Sequence, residues 1–284
     1  MGLFSVLLAD ARKHRYAIPA INVHNAETVE AAFSAAANCC SPIIVAIAHS
    51  HAKLTYDYIN LSTIAALVQE AKQRFDVKVC FHVDHGRNFD FIKQAIHSGV
   101  DSIMFDASEL SFEENVRLVK EVTSYAHHHG VDVEAELGHV GKGQNFDTQE
   151  VIEDFFTKPE DAEKFVELTE VDALAVAFGT KHGIYKSQPK LDLTRLERIR
   201  ELVNVPLVMH GTSGLSDSDI RRAIEVGISK VNVFTDPALA AKEAFLAACN
   251  DPKTRFPDAL VKSRTAFQKR IEFYIELCQS AGRA

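Results

Sequence analysis

Residues 206–236, PLVMHGTSGLSDSDIRRAIEVGISKVNVFTD, contain a complete strand–helix–strand unit. PLVMHG is a short apolar run ending in His210-Gly211, SDIRRAIEVG reads as an amphipathic helix, and VGISKVNVF passes from the helix end directly into a second apolar run. Two such strands joined by a helical crossover lie parallel. The same junction recurs upstream in SGVDSIMFD and TEVDALAVAF. Working outward, eight apolar runs alternate with helical segments: AIPAINVH from Ala17, PIIVAIAH from Pro42, VCFHVDH from Val79, SIMFDAS from Ser102, VDVEAELG from Val131, ALAVAF from Ala173, PLVMHG from Pro206 and KVNVFT from Lys230. Eightfold repetition of one βα unit predicts an α/β fold of the TIM (β/α)8 barrel type.

The 284 residues suit one such barrel, which needs roughly 250. No linker or composition break divides the chain, so residues 1–284 are expected to be a single domain with an N-terminal helix and a C-terminal helical extension. Hydrophobic residues make up 46% and charged residues 25%, enough apolar material for a substantial core. The net charge of −8 argues against nucleic acid as a partner, because phosphate backbones are bound through clustered Lys and Arg. The five cysteines form no C-x-x-C pair and are expected to be reduced thiols in a cytoplasmic protein. In the opening MGLFSVLLADARKHRY the basic residues follow the apolar run, unlike a signal peptide, and no stretch approaches the roughly 20 apolar residues that span a bilayer. No membrane association is expected. The longest connection, residues 138–158, carries Gly138, Gly141 and Gly143 and reads as a loop over an active site.

Barrel chemistry sits at the C-terminal ends of the strands. There the sequence places His82-Val83-Asp84-His85-Gly86, Asp106, Glu134 and Glu136, His182-Gly183 and His210-Gly211. A lone histidine is most often an ordinary hydrogen-bonded residue. His85, His182 and His210 together, each followed by Gly and each at or just past a strand end, form a neutral-imidazole set suited to zinc with coordination positions left open. His127, His128 and His129 end a helix and receive no role beyond the helix dipole. Gly211-Thr212-Ser213-Gly214 and Asn232-Val233-Phe234-Thr235-Asp236 stand just before helices after the last two strands, where barrels bind phosphate. Either segment alone is equally an N-cap turn; their adjacency favours an anion site.

AINVHNAET, HVDHG, FEENVRLVKEV, VEAELGHVG, AVAFGTKHGIY, PLVMHGTSG and KVNVFTD, in this order from end to end, resemble the class II, zinc-dependent ketose-bisphosphate aldolases of the tagatose-1,6-bisphosphate and fructose-1,6-bisphosphate type. The resemblance implies a lyase that reversibly cleaves a ketose phosphate or bisphosphate to dihydroxyacetone phosphate and an aldehyde. It implies zinc on His85, His182 and His210, with Asp84 as the acid/base at the hydroxyl beside the breaking bond. It assigns the phosphate to Gly183, Lys186, Gly211, Ser213, Asn232 and Thr235, with a monovalent cation, Na+ or K+, nearby, and it implies a homo-oligomer, dimer or tetramer. Zinc as a Lewis acid on the ketone oxygen, stabilising the enediolate left by cleavage, agrees with this set. Asp106 and Glu134 would orient the ligands.

Three positions depart from the family pattern. Where the loop after the fifth strand carries an acidic residue in the family, this chain aligns Gln144, which cannot transfer that proton; Asp147 is the nearest carboxylate and Glu150 the next. The D-P-R motif whose Arg reaches a neighbouring subunit's substrate reads Asp251-Pro252-Lys253-Thr254-Arg255, so Lys253 and Arg255 are the candidates for a distal anion. Ala48 stands where fructose-bisphosphate aldolases commonly have Ser. Two other readings compete: a non-catalytic paralogue that stabilises an active aldolase, suggested by Gln144, and a barrel zinc hydrolase, which the absence of H-x-H in AINVH disfavours.

Overall fold

In the computed structural model, residues 2–50, 61–138, 141–142, 155–182 and 189–284 are described, with the backbone alone at 141–142 and 182. Every one of the eight apolar runs coincides largely with a barrel strand, the last strand starting two residues before its run and the third ending one residue after. These are β1 (Ile18–Asn22), β2 (Ile43–Ala48), β3 (Val79–Gly86), β4 (Ser102–Phe105), β5 (Asp132–Leu137), β7 (Ala173–Val176), β9 (Leu207–Met209) and β10 (Ile228–Val233). All neighbours are parallel, and the order β1-β10-β9-β7-β5-β4-β3-β2 closes on itself. Two short strands, β6 (Gly141–Lys142) and β8 (Lys181–His182), pair with each other outside the barrel and tie the connection after β5 to the one after β7.

Alternate residues of each strand face opposite ways, and here they join two different apolar clusters. Ile21, Val45, Phe81, Val83, Ile103, Val133, Leu174 and Met209 pack outward beneath the surrounding helices. Ile18, Ala20, Ile44, Cys80, Ala173, Ala175 and Val208 fill the lower barrel interior together with Phe4, Leu7, Leu8 and Ala11 of α1 (Leu3–His14). The helix closes the floor. Its backbone is capped from a distance, since Asp132 accepts from Gly2 N at 3.1 Å and Ser5 N at 2.8 Å. A carboxylate at a helix N-terminus satisfies orphan N–H groups and favours the dipole. At the other end Arg12 donates to the carbonyls of Val203 and Val205.

The surrounding helices are α2 (Ala26–Asn38), α3 (Leu61–Arg74), α4 (Phe89–His97), α5 (Phe112–His128), α6 (Pro159–Thr169), α7 (Leu193–Leu202) and α8 (Asp217–Val226). Several begin on the side-chain caps their sequences favour: Asn25, Asn88, Ser111, Asp192 and Ser216 each accept a backbone N–H of the first turn. The C-terminal extension is α9 (Thr235–Cys249) and α10 (Phe256–Leu277), with α10 packed on α9 and α2. No helix among the described residues is long and apolar enough to cross a membrane.

Phe4 is fully buried and its ring stacks on the His82 imidazole, centroids 5.3 Å apart. Phe4→Ala should therefore lower stability by about 3–5 kcal/mol, the range for a buried aromatic removed without collapse. Urea denaturation followed by intrinsic tyrosine fluorescence checks this, and a loss below about 1 kcal/mol would mean that α1 is not a structural floor.

Candidate active site

At the upper end of β3 two consecutive side chains, Asp84 and His85, contribute to one cavity, which regular strand alternation forbids. The register supplies the reason: Val83 pairs with Ile103 but Gly86 with Phe105, so β3 has one residue more than β4 across the same interval. His85 absorbs it in a left-handed conformation, φ 48°. A bulge of this kind re-aims a side chain and stores backbone strain that the surroundings must hold. Gly86 is required by packing, since a Cβ there would lie 2.5 Å from Ile92 Cδ1 and 2.8 Å from the Met104 carbonyl.

The Asp84 carboxylate is buried between two amides. Asn22 Nδ2 at the end of β1 donates to Oδ2 at 2.9 Å, and Asn232 Nδ2 on β10 donates to Oδ1 at 3.0 Å. Burial alone would raise its pKa, but His85, His210, Lys230 and the Asn22 amide hold it well below the usual carboxylate range. Asp84 is an ionised base at neutral pH.

His85 Nδ1 donates to Asp106 Oδ2 at 3.0 Å, and His210 Nε2 donates to Glu134 Oε1 at 2.9 Å. The remaining nitrogens, His85 Nε2 and His210 Nδ1, approach to 3.1 Å. Two imidazole lone pairs cannot face each other at this distance without a proton or a cation between them. Burial disfavours a charge on His85, but Asp84, Asp106 and Glu136 outweigh it and raise its pKa to about 9. His210 is shifted down, first by burial and then by the His85 charge, against the pull of Glu134. Opposite shifts of this kind favour His85 over His210 as the seat of positive charge in this pair. Ligand atoms of Asp84, His85 and His210 lie within 4.8 Å of one another, as do those of His85, Asp106 and Glu136. Imidazoles whose far nitrogens are fixed by carboxylates, with the near ones converging, form a donor set that fits a divalent cation.

Behind these groups the barrel interior carries a polar belt. Glu134 Oε2 accepts from Lys230 Nζ at 2.7 Å, and both residues are fully buried. Lys230 and the histidines lower the Glu134 pKa to about 2 against the effect of burial. His82, 3.7 Å from the same carboxylate oxygen and bonded through Nδ1 to Ser102 Oγ at 2.8 Å, is pushed down to about 3 by burial and by Lys230. On the outer side Arg87 donates to Asp106 Oδ2 at 2.7 Å and to Glu109 at 2.9 Å. Asp106, which also accepts from Ser108, is held well below the usual range by its partners despite burial.

The cavity above Asp84 has a volume of about 240 Å3. Gly211, Ser213, Asn232 and Thr235, four of the residues expected at a phosphate, all line it. The first turn of α9 opens there, with the Asp236 N–H donating to Ser213 Oγ at 3.4 Å, and a helix N-terminus favours an anion. Thr212 Oγ1 and Asn232 Oδ1 are buried without a partner among the described residues. Gly183 and Lys186, like Gln144, Asp147 and Glu150 of the loop after β5, lie outside the described residues. His182 is positioned by its backbone in β8, and the neighbouring Lys181 carbonyl presses against Gly211, whose φ of 69° and close approach exclude a Cβ. Lys253 and Arg255 do not line this cavity; Arg255 pairs with Asp258 at 2.9 Å on the exposed α9–α10 turn.

The sequence profile described as fructose-bisphosphate aldolase class-II matches residues 4–283. This chain belongs to the class II fructose-bisphosphate aldolase family. It is similar to the crystal structure of the YdjI aldolase from Escherichia coli K12, with 36% identity, a TM-score of 0.88 and coverage of 99% of this chain and 98% of that one. A provisionally assigned fructose-1,6-bisphosphate aldolase from Coccidioides immitis gives 32% identity, a TM-score of 0.85 and coverage of 98% and 96%. The fructose-bisphosphate aldolase of Campylobacter jejuni, at 23% identity, shares the fold with a TM-score of 0.84 over 99% of this chain and 95% of that one.

For this aldolase-family chain, sequence reasoning missed Asn22, Arg87 and Lys230 as parts of the site. Asn22 ends an apolar run before a helix cap and looks like turn chemistry. Lys230 begins KVNVF and would pass as a solvent residue preceding a strand. Its buried partner, Glu134, is 96 residues away. A charged residue inside a run that both faces of a barrel should bury was the available signal.

Lys230→Met should cost about 3–5 kcal/mol, because it leaves Glu134 as a buried carboxylate without its cation. Adding Glu134→Gln in the same chain should recover most of that loss, measured by denaturant midpoint. Simple additivity of the two single changes would show that the pair is not coupled.

Proposed function

We propose that this protein is a zinc-dependent aldolase that cleaves a ketose phosphate to dihydroxyacetone phosphate and an aldehyde, and forms it in reverse. The observation that carries the reading is the Asp84 carboxylate, clamped by Asn22 and Asn232 beside two histidines whose nitrogens converge at 3.1 Å. His85 and His210 would hold the zinc, with His182 as the third ligand. When bound, the metal supplies Lewis-acid charge for the substrate's ketone oxygen. The protein's own part begins at Asp84, which takes the proton from the hydroxyl on the carbon beside the breaking bond. As that oxygen becomes the aldehyde carbonyl, the carbon–carbon electron pair moves to the keto half. In the synthetic direction Asp84 returns the proton.

Ser213, Thr235, Gly211 and the first turn of α9 would seat the phosphate of the keto half, with Gly183 and Lys186 completing it. Asp147 is proposed for the proton on the carbanionic carbon, the position where Gln144 cannot act. Asp106 and Glu134 act as positioning residues through their bonds to the two histidines.

A cytoplasmic homo-oligomer is the proposed setting. Leu239, Leu246, Phe256 and Val261, with 38%, 51%, 68% and 50% of their surfaces exposed, all lie on α9 and α10. An apolar face of this kind is normally covered. The turn between the two helices carries Lys253 and Arg255, which an oligomer would bring to a neighbouring subunit's distal anion.

The purified protein should contain about one zinc per chain, and chelation should abolish retro-aldol activity on a panel of ketose phosphates. Asp84→Ala should retain zinc yet lose cleavage by about a hundredfold or more, while exchange of the dihydroxyacetone phosphate proton is less affected. Loss of zinc from that variant would make Asp84 a ligand instead of the acid/base. Zinc binding without cleavage of any substrate would favour the stabilising paralogue.

Ketose 1-phosphates should compete well with fructose 1,6-bisphosphate in kcat/KM, since Lys and Arg here replace the usual bidentate Arg position. Replacing Lys253 and Arg255 by Ala should raise KM selectively for substrates with a terminal anion. A strong preference for a 1,6-bisphosphate over every 1-phosphate would sink the distal part of this reading.

A further inference from the structure

A second cavity, of about 500 Å3, lies at the opposite end of the barrel from Asp84. Its walls come from α1, from the turn between α7 and β9 around Asn204, from Gly227 between α8 and β10, and from Ser229 of β10. The side chains facing it include four cations, Arg12, Lys13, Arg15 and Arg200. The two lining carboxylates do not balance them. Glu225, Lys13 and Arg15 are exposed, which leaves the half-buried Arg12 and Arg200 facing Asp172, and Asp172 accepts from Val133 N at 2.7 Å and pairs with His127 Nε2 at 2.8 Å.

Arg12 and Arg200 are near enough that the Arg200 charge, after burial, lowers the Arg12 pKa. Arg12 spends its donors on three main-chain carbonyls, those of Arg200, Val203 and Val205, which neutralise no charge. Arg200 is held over Gly227, where any Cβ would collide with its side-chain methylenes, and its Nε is buried with no hydrogen-bond partner among the described residues. Two more donors in the cavity wall are in the same condition: Ser229 Oγ, fully buried at the start of β10, and Ser5 Oγ, 8% exposed on α1, have no partner. Paired guanidinium charges and buried orphan donors each cost free energy that an oxyanion would recover.

We propose that this floor cavity binds a small oxyanion, a phosphate monoester or a carboxylate, seated on Arg200 and Ser229. The site is separate from the proposed phosphate position near Ser213, and it does not depend on the aldolase reading. The volume admits a small organic anion as well as an inorganic ion.

Calorimetric titration of the zinc-loaded protein with inorganic phosphate, and separately with acetate, tests this. Two classes of phosphate site are expected, one weakened by Ser213→Ala and the other by Arg200→Met. Loss of a charge-assisted hydrogen bond should weaken the second class by about tenfold or more, with the basal retro-aldol rate unchanged. Ser229→Ala, which removes the buried unpartnered hydroxyl, should weaken the same class and serves if Arg200→Met does not fold. Phosphate binding alone at this class would identify phosphates as the ligand, and acetate binding alone would identify carboxylates. Wild-type affinity in both floor variants, or loss of all binding in Ser213→Ala, would overturn the proposal.

Discussion

The Glu134 carboxylate, held between Lys230 Nζ at 2.7 Å and His210 Nε2 at 2.9 Å, is the interaction on which the upper half of the barrel depends. Isolated, any of these three groups would be expensive at zero exposure. Together they convert a buried lysine into the means of keeping a carboxylate ionised, and the carboxylate into the means of fixing one imidazole tautomer. The His210 nitrogen that faces Asn232 and His85 is thereby left with its lone pair. The direction of the whole site follows from a charge placed below it, on β10, with the acceptor on β5 across the interior.

That arrangement divides the interior by height. The floor is apolar and is closed by α1, the belt above it contains His82, Glu134 and Lys230, and only the rim touches solvent. Phe4 joins floor to belt by stacking on His82. At the rim, simple alternation along β3 would have aimed Asp84 inward and His85 outward. The extra residue between Val83 and Gly86 brings both into one cavity, at the cost of a left-handed histidine. Such strain persists only where neighbours over-determine it. Asp106 on one side and the packing of Ile92 against Gly86 on the other supply that determination.

The fold was legible because each barrel strand is an apolar run bounded by turn residues, and all eight runs became strands. The site was legible in part, because barrel geometry names strand ends in advance: strand ends pointed to His85, His182 and His210, the family resemblance added Asp84, and Asp84, His85 and His210 lie together, while the His182 side chain is outside the described residues. Partners set by closure of the ring were not legible. Nothing local to AINVH says that Asn22 will face Asp84, 62 residues on, because β1 reaches β3 only through curvature of the sheet. The glycines after His85 and His210 suggest, in sequence, room for a ligand's close approach. Gly86 and Gly211 are explained by a leucine-sized neighbour, Ile92, and by the Lys181 carbonyl, both invisible in sequence.

The electrostatics of the rim lead to one further step. Asp84, Asp106, Glu134 and Glu136 are all at most 6% exposed and lie around two histidines, with Lys230 beneath bonded to Glu134 and Arg87 at the edge bonded to Asp106. The four carboxylates crowd negative charge around the two histidines, and Asp84, Asp106 and Glu136 raise the His85 pKa to about 9. The field that favours a proton on His85 is also the field that would retain a divalent ion, and a proton and a metal compete for the same lone pair. Asn22 and Asn232 are neutral. They hold Asp84 in place without cancelling any of this field, which an arginine in either position would do, and so the carboxylate stays positioned while the centre keeps its demand for positive charge.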